Sequence, residues 1–336
     1  MSGVEFRPGL EDYRAAVVAD ATEPYARPGW FENLARTTAA GAGAVTVAAD
    51  DVAIPARMDG GVLRSLSNLY TVENLAPAMD AERAERLARA LRAASPRPHQ
   101  VAWEAMRPKA ADAAIAGFRA AGWAVERYVQ FGTWREVVEG RSFEDYWAAR
   151  PGQVRSTVKR KRARLFANPD MRIEDHVAAD ADRAVEAYER CHDAAWQGEE
   201  PFRDFVPGLI RTGLAEGWAR VFSIRDGEKP VAAQVWTVGP RRATIFKLAH
   251  DPAYGDFSPG TILTAISLER LLPLAHGLRE IDFGRGDDPY KKDWAPDRIA
   301  MTAFIASDPQ TLRGFAQATG FQVRRIGRAL KRRVIG

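Results

Sequence analysis

Three β-rich segments separated by very short turns constrain the second half of the chain most strongly. The segments span residues 218–226, 230–238 and 243–251, with Gly227 and the Gly239-Pro240 pair between them. Connections this short join antiparallel neighbours, because a parallel connection needs a dozen residues or more. The pattern therefore predicts an antiparallel meander.

Helical patterns flank this meander. Two helices are predicted before it, at 180–197 and 203–216, and one after it, at 260–275, which leads into a strand at 278–284. In the first half, short β-branched segments alternate with helical segments, and residues 80–94 form a strongly amphipathic helix. This order predicts an α/β (α+β) chain with mixed, mostly antiparallel sheets flanked by helices.

The length of the chain, 336 residues, exceeds that of one typical domain. We expect two domains, at residues 1–140 and 141–336, the second ending in a basic helix. The single cysteine, Cys191, excludes an intramolecular disulfide. Because no apolar run reaches the ~18 residues of a membrane span and the N-terminus lacks the apolar core of a signal peptide, we expect a cytoplasmic protein.

Positive charge is concentrated in two segments. Residues 155–164 and 324–333 contain six basic residues each, whereas the rest of the chain has 36 basic against 44 acidic residues. Each segment is either an anion-binding surface or a solvated helix face. The charge is therefore local, and a generally basic, nucleic-acid-coating protein is not indicated.

The first basic segment contains one cation in an unusual position. Lys161 shares a helical face with Val158 and Leu165, away from the other cations. It either extends along the apolar surface to reach water or points into a cleft toward an anionic acceptor. We expect Lys161, Arg155 and Lys159 to bind an anionic substrate.

The second basic segment has the pattern of an amphipathic helix. Val323, Ile326, Leu330 and Val334 share one face, opposite the cations. Such a helix can lie on an anionic membrane surface or dock on the body of the protein. Peripheral contact with the inner membrane surface is therefore one expectation.

The segment Phe-Ser-Pro-Gly-Thr that ends at Thr261 predicts a helix start. Ser258 is a favourable N-cap, and the following proline suits the first helical position. The unpaired N–H groups and the positive dipole end of a helix start bind pyrophosphate, and Gly260 lets an anion approach the backbone. We predict a donor-binding site of Ser258, Gly260 and Thr261, with His250 at the nearby strand end; an ordinary capped helix is the alternative.

A charged loop, IDFGRGDDPYKKDWAP, occupies residues 281–296. Acyl transfer to an amine needs a group that orients or deprotonates the nucleophile, donors for the oxyanion and a proton source for the leaving thiolate. Asp287, Lys291 and Tyr290 are our candidates for these roles in that order, and Lys291 can instead bind an acceptor anion. The alternative is a charged surface loop held by Trp294, which is itself a candidate substrate contact.

The second half resembles a GNAT acetyltransferase domain in the order of its elements. Its charged loop is similar to the G-D-x-x-Y-K-x-x-W segment of the GNAT branch assigned to cellulose and exopolysaccharide synthesis (CelD-like proteins), a branch related to the FemAB peptidoglycan-bridge transferases. Residues 142–165 and 247–263 also resemble this branch. The loop segment is matched by Gly286, Asp287, Tyr290, Lys291 and Trp294. The helix start departs from the usual Q/R-x-x-G-x-G/A pattern, since it has one glycine and a proline.

The resemblance implies two tandem GNAT-like units, the first degenerate, and acyl-CoA (acetyl-CoA) as cosubstrate with no metal. It implies an N-acyltransferase acting on an amino-sugar or a cell-envelope or exopolysaccharide precursor, with an anionic or lipid-linked glycan acceptor. Two alternatives stay open: FemAB-like transfer from aminoacyl-tRNA to a peptidoglycan precursor, and a non-catalytic binding module. Nucleic acid is expected only in the first alternative.

Overall fold

The structure, a computed structural model, describes residues 3–17, 23–49, 52–74, 80–195, 200–274 and 277–320. Its contacts divide the chain into two compact units. Within the described residues, the first unit contains 3–17, 39–131 and 300–320, and the second contains 23–38 and 132–299. The domain boundary expected at residue 140 stays a prediction, because compact units need not coincide with domains.

The elements follow the order expected for an α/β chain. The strands are β1 (Glu5–Pro8), β2 (Ala44–Ala49), β3 (Val52–Asp59), β4 (Val62–Ser65), β5 (Gln100–Met106), β6 (Ala124–Val137), β7 (Met171–His176), β8 (Ala219–Asp226), β9 (Lys229–Val238), β10 (Arg242–His250), β11 (Glu280–Arg285) and β12 (Asp297–Ser307). The α-helices are α1 (Glu11–Ala16), α2 (Pro28–Thr37), α3 (Ala81–Ala93), α4 (Pro108–Ala120), α5 (Phe143–Ala148), α6 (Gly152–Leu165), α7 (Ala181–Ala195), α8 (Phe205–Ala215) and α9 (Pro259–Leu274).

The two units share one topology. The strand order is β1-β2-β3-β4-β5-β12 in the first and β7-β8-β9-β10-β11-β6 in the second. In each unit the fourth and fifth strands pair in parallel, and one helix, α3 or α9, lies between them in the chain. The other pairs in these orders are antiparallel. The expected fold class, tandem units with mixed, mostly antiparallel sheets flanked by helices, is confirmed.

The core of the first unit forms where α3 and α4 pack on the sheet. Asp80 caps α3 by accepting from the backbone N–H of Arg83 at 2.8 Å. Leu87 and Leu91, four residues apart on α3, are buried with Phe118 of α4. A Cβ atom at Gly117 would clash with the carbonyl oxygen of Ala81, so glycine permits this close approach of the two helices.

The core of the second unit surrounds α9 and the meander of β8, β9 and β10. The helix α9 is buried through Ile262, Leu263 and Ile266, among others, and a helix that is apolar on most of its surface belongs in an interior. Trp236 of β9 packs edge-on against Phe283 of β11. The start of α9 lies at the carboxyl end of β10, where Gly260 approaches Leu248 and His250.

Two expectations concern the C-terminus and the membrane. The basic segment 324–333 and its apolar face lie outside the described residues, so both stay predictions. Within the part of the chain that the structure describes, no helix is long and apolar enough to cross a membrane.

Candidate functional site

The parallel pair of β10 and β11 is short and ends in two irregularities. Three residue pairs define it, from Arg242–Glu280 to Thr244–Asp282. Directly afterwards β10 has a bulge between Ile245 and Lys247, seen against β9, and β11 shifts register against β6 after Asp282. The parallel ladder between β10 and β11 therefore stops at Thr244 and Asp282.

Gly284 shapes this place in the sheet. Its φ of 66° lies in the left-handed region, which glycine adopts without strain. A Cβ atom at residue 284 would lie 2.8 Å from the carbonyl oxygen of Ile245, closer than real Cβ contacts allow. A larger residue would therefore force β10 and β11 apart at the bulge.

The four predicted donor-binding residues lie at the carboxyl end of β10 and the start of α9. A Cβ atom at Gly260 would lie 3.4 Å from a methyl group of Leu248 and 3.6 Å from Nδ1 of His250, which is ordinary contact. Thr261 follows in the first turn of the helix. The structure thus brings His250 and Gly260 together, and protein packing alone does not demand glycine at residue 260.

Ser258 does not cap α9 in the expected way. Its backbone is left-handed, with φ 51° and ψ 55°, and its carbonyl oxygen accepts from the N–H of Ile262 at 3.1 Å. Its hydroxyl instead accepts a hydrogen bond of 2.6 Å from Nζ of Lys161. The guanidinium of Arg164 lies 5.2 Å from the ring centroid of Phe257. Two cations of α6 therefore stand beside the helix start, where the dipole also favours an anion.

Arg155 and Lys159 lie on a different part of α6. They line a groove of about 990 Å³ with Arg162, whose guanidinium pairs with Glu269 at 3.0 Å. We call this the α6 groove; its aromatic lining comes from Phe143, Trp147 and Phe166. The structure does not bring Arg155 and Lys159 together with Lys161, although the sequence grouped all three as substrate-binding residues.

Asp287, a predicted catalytic residue, forms an ion pair with Arg298. Its two carboxylate oxygens accept from Nε and Nη2 of Arg298 at 2.6 and 2.7 Å. The guanidinium holds the pKa of Asp287 below its usual range. A carboxylate with a lowered pKa is a weak base, so the contacts favour an orienting role over proton abstraction.

Lys291 and Tyr290 lie in the same loop with different surroundings. The ammonium of Lys291 is buried, donates to the carbonyl oxygen of Arg285 at 2.8 Å and pairs with Asp288 at 3.0 Å. Tyr290 is 43% exposed, yet loss of water around its hydroxyl and the charge of Asp288 raise its pKa to about 12. The phenol therefore stays protonated near neutral pH and can donate a hydrogen bond.

Trp294 belongs to the core and not to the surface. Its ring is 3% exposed, stacks on Phe283 at 6.2 Å between centroids and lies 6.0 Å from Trp147. Its carbonyl oxygen accepts from the hydroxyl of Tyr146 at 2.8 Å and from Arg150. Its indole therefore contacts Trp147, which lines the α6 groove, from the core side.

Sequence reasoning passed over Asp282 as a binding or catalytic candidate. This carboxylate is fully buried in β11, accepts from the hydroxyl of Thr133 and from the N–H of Gly284, and burial raises its pKa. A charged residue between two apolar ones in a buried strand was the available signal. Cys191, the single cysteine, is buried, and burial raises its pKa to about 12, so its thiol is a poor nucleophile. In the described part of the chain, no group of three or more His, Cys, Asp or Glu residues is placed to hold a metal ion.

Comparison with known proteins finds a family model that matches part of the second half of the chain. Residues 152–292 match the family model described as acetyltransferase (GNAT) domain, a segment that begins with α6 and ends at Lys292. The narrower resemblance to the exopolysaccharide branch stays a prediction. A search of curated protein sequences finds no significant match.

Several solved structures share the fold of this protein over most of its length. FemX has a TM-score of 0.62 at 10% identity, covering 92% of this chain and 98% of its own. The C-terminal domain of a putative lysylphosphatidylglycerol synthetase from Agrobacterium fabrum has a TM-score of 0.57 at 13% identity, covering 92% and 93%. L-PGS from Bacillus licheniformis has a TM-score of 0.54 at 10% identity, covering 98% and 99%. At these identities the similarity concerns the fold.

Proposed function

We propose that this protein is an acyl-CoA-dependent N-acyltransferase with its donor at the start of α9. The observation that carries the proposal is the meeting of Lys161 with Ser258 at a helix start beside the bulge of β10. A pyrophosphate there gains the helix dipole, backbone N–H donors and one ammonium group. The acyl arm then extends along β10 beyond Thr244.

The reaction follows from this placement. The acceptor binds as an ammonium ion and releases one proton to water before its nitrogen attacks the thioester carbon. The C–N bond forms, the C–S bond breaks, and the thiolate leaves and takes up the second nitrogen proton. Backbone N–H groups at the bulge of β10 are candidates to stabilise the oxyanion. Acetyl-CoA is the simplest donor, and we propose an amino-sugar or a cell-envelope or exopolysaccharide precursor as acceptor.

A second candidate function rests on the α6 groove. Its three cations, Arg155, Lys159 and Arg162, surround an aromatic lining, and such a surface suits the backbone of a nucleic acid or the anionic part of a glycan precursor. FemAB-like transfer from aminoacyl-tRNA to a peptidoglycan precursor would use this surface for the donor. The two candidates therefore differ in the donor and not in the bond that forms.

A donor-exchange assay distinguishes the two. The purified full chain is given acetyl-CoA with amine acceptors, and thiol release is followed; in parallel it is given charged tRNA with a peptidoglycan precursor. We expect amine-dependent thiol release and no aminoacyl transfer. Aminoacyl transfer without thiol release would replace the first proposal with the second. The absence of activity with both donors would favour a binding module.

A further inference from the structure

The α6 groove combines a row of cations with an apolar lining. Arg155, Lys159 and Arg162 follow one another at intervals of four and three residues, so they share one face of α6. The rest of the lining is mostly apolar, and its largest members are the half-buried rings of Phe143, Trp147 and Phe166. With a volume of about 990 Å³, the groove can hold a small molecule that has both a charged and an apolar part.

The positive charge of the groove is only partly balanced by the protein. Arg162 pairs with Glu269 at 3.0 Å. Arg155 donates through Nε to the carbonyl oxygen of Arg150 at 3.1 Å, a partner without charge. Lys159 is exposed and makes no hydrogen bond or ion pair with any residue in the described ranges. Among the described lining residues, three cations face one carboxylate, which leaves a net charge of +2.

This composition fits an anionic amphiphile. A free inorganic anion would leave the aromatic rings in water, although covering apolar surface is favourable. A carboxylate or a phosphodiester carries one negative charge, whereas a phosphate monoester carries about −1.5 to −2 near pH 7 and accepts paired hydrogen bonds from a guanidinium. The charge of the groove therefore favours the monoester. A nucleic acid backbone consists of diesters and needs cations along a track, but these three cations lie within about two turns of one helix.

We propose that the α6 groove binds a lipid that ends in a phosphate monoester. The phosphate lies at Arg155 and Lys159, and the hydrocarbon chain lies against the aromatic lining. This site is separate from the proposed acyl-CoA site, because Lys161 contacts Ser258 from another face of α6. The inference therefore goes beyond the proposed function and does not depend on it.

The test uses octyl phosphate, kept below its micelle-forming concentration, as a soluble probe of the lipid. Calorimetry is performed on the full wild-type chain, on Lys159→Met and on Lys109→Met, which makes the same change at an exposed lysine of α4. We expect equal affinity for the wild type and Lys109→Met. Lys159→Met should bind octyl phosphate at least about tenfold more weakly, because a charge-assisted hydrogen bond to phosphate is lost.

Two further probes separate the contributions of the chain and of the charge. Butyl phosphate should bind the wild type at least about tenfold more weakly than octyl phosphate, because four fewer methylene groups leave the water. Octyl sulfate, with one negative charge, should also bind more weakly than octyl phosphate. Equal affinity for butyl and octyl phosphate would reduce the groove to a site for free anions and overturn the proposal.

A second variant protects the test against a change in fold. Ala163→Glu adds a carboxylate at an exposed position of the lining and should also weaken octyl phosphate binding. Circular dichroism shows which variants are folded. If a folded Lys159→Met or Ala163→Glu binds octyl phosphate as tightly as the wild type, or if the wild type does not bind it, the proposal is wrong. Displacement of octyl phosphate by tRNA at a lower concentration would assign the groove to a nucleic acid instead.

Discussion

The ammonium group of Lys291 is the cation that the sequence placed at the centre of the chemistry. In the structure it contacts only groups of its own loop: it donates to the carbonyl oxygens of Arg285 and Gly286 and pairs with the carboxylate of Asp288. An ammonium group with three such acceptors has no free donor in this conformation. Its role in this loop is to fix the turn that follows β11, and a catalytic role would require these contacts to change.

The variant Lys291→Met tests whether Lys291 stabilises the turn that follows β11. The variant keeps most of the stem but leaves buried carbonyl oxygens unpaired, so we expect the free energy of unfolding in urea to fall by about 1–3 kcal/mol. Lys292→Met, at the exposed neighbour, is the matched control and should change it little. Equal stability of the two variants, with turnover lost only in Lys291→Met, would restore a direct catalytic role.

Residue types in the site were predictable, but their partners were not. The sequence marks Ser258 and Lys161 separately, as a helix start and as a cation on an apolar face. It contains no sign that they meet across 97 positions. Likewise Asp287 has a side chain that could act as a base, yet both its carboxylate oxygens accept hydrogen bonds from Arg298. Residues distant in the chain determine the pKa and the role of each of these side chains. These pairings cannot be recognised in a single sequence.

At the scale of elements, β7, β8 and α7 are joined by a network of charges. Arg225 of β8 has a side chain only 1% exposed, and it donates to Glu174 of β7 at 2.8 Å and to Glu186 of α7 at 2.6 Å. Arg183 of α7 also donates to Glu174, at 2.8 Å. A buried guanidinium with satisfied donors fixes these three elements in register, and removal of one partner leaves a buried charge unpaired.

This network predicts an acid-sensitive stability. Burial alone would raise the pKa of Glu174, but hydrogen bonds from Arg183 and Arg172 and the charge of Arg225 lower it to about 2 from an ordinary value of 4.5. Because the folded-state pKa is the lower one, the stabilisation is complete above about pH 4.5 and is lost as the pH falls toward 2. We expect urea unfolding of the wild type to lose up to roughly 3 kcal/mol over this range through Glu174.

Glu174→Gln provides the comparison. The variant lacks the titrating group, so its free energy of unfolding should be lower at pH 7 and should decline less between pH 4.5 and 2. Parallel pH profiles for the wild type and the variant would show that Glu174 does not carry the effect.

The regular elements were largely predictable, and the exceptions have physical causes. The short turns at Gly227 and Gly239-Pro240 predicted the antiparallel meander, which the pairing of β8, β9 and β10 confirms. The edge strand β7 was missed, because most of its residues are only half-buried and show no apolar alternation. The short helix α5 was also missed, although Ser142 and Asp145 form a capping box that announces its start.

At the scale of the whole chain, two tandem units were expected, but the strands and helices that belong to each unit were not predicted. The sixth strand of each unit follows, in sequence, the fifth strand of the other: β6 comes after β5 and pairs with β11, whereas β12 comes after β11 and pairs with β5. The helix α2 likewise belongs to the second unit, although it precedes most of the first. Local patterns specify strands, while such long-range pairing depends on complementary faces that a pattern does not identify.

The central claim is that the start of α9, together with Lys161, holds the pyrophosphate of an acyl-CoA donor. Calorimetric titration of acetyl-CoA into the wild type, Lys161→Met and the exposed control Arg160→Met tests it most directly. We predict binding of one acetyl-CoA per chain to the wild type and the control, and an affinity at least about tenfold lower for Lys161→Met, which loses one charge-assisted hydrogen bond to phosphate. Equal affinity of all three folded proteins, or no binding of acetyl-CoA to the wild type, would contradict the account.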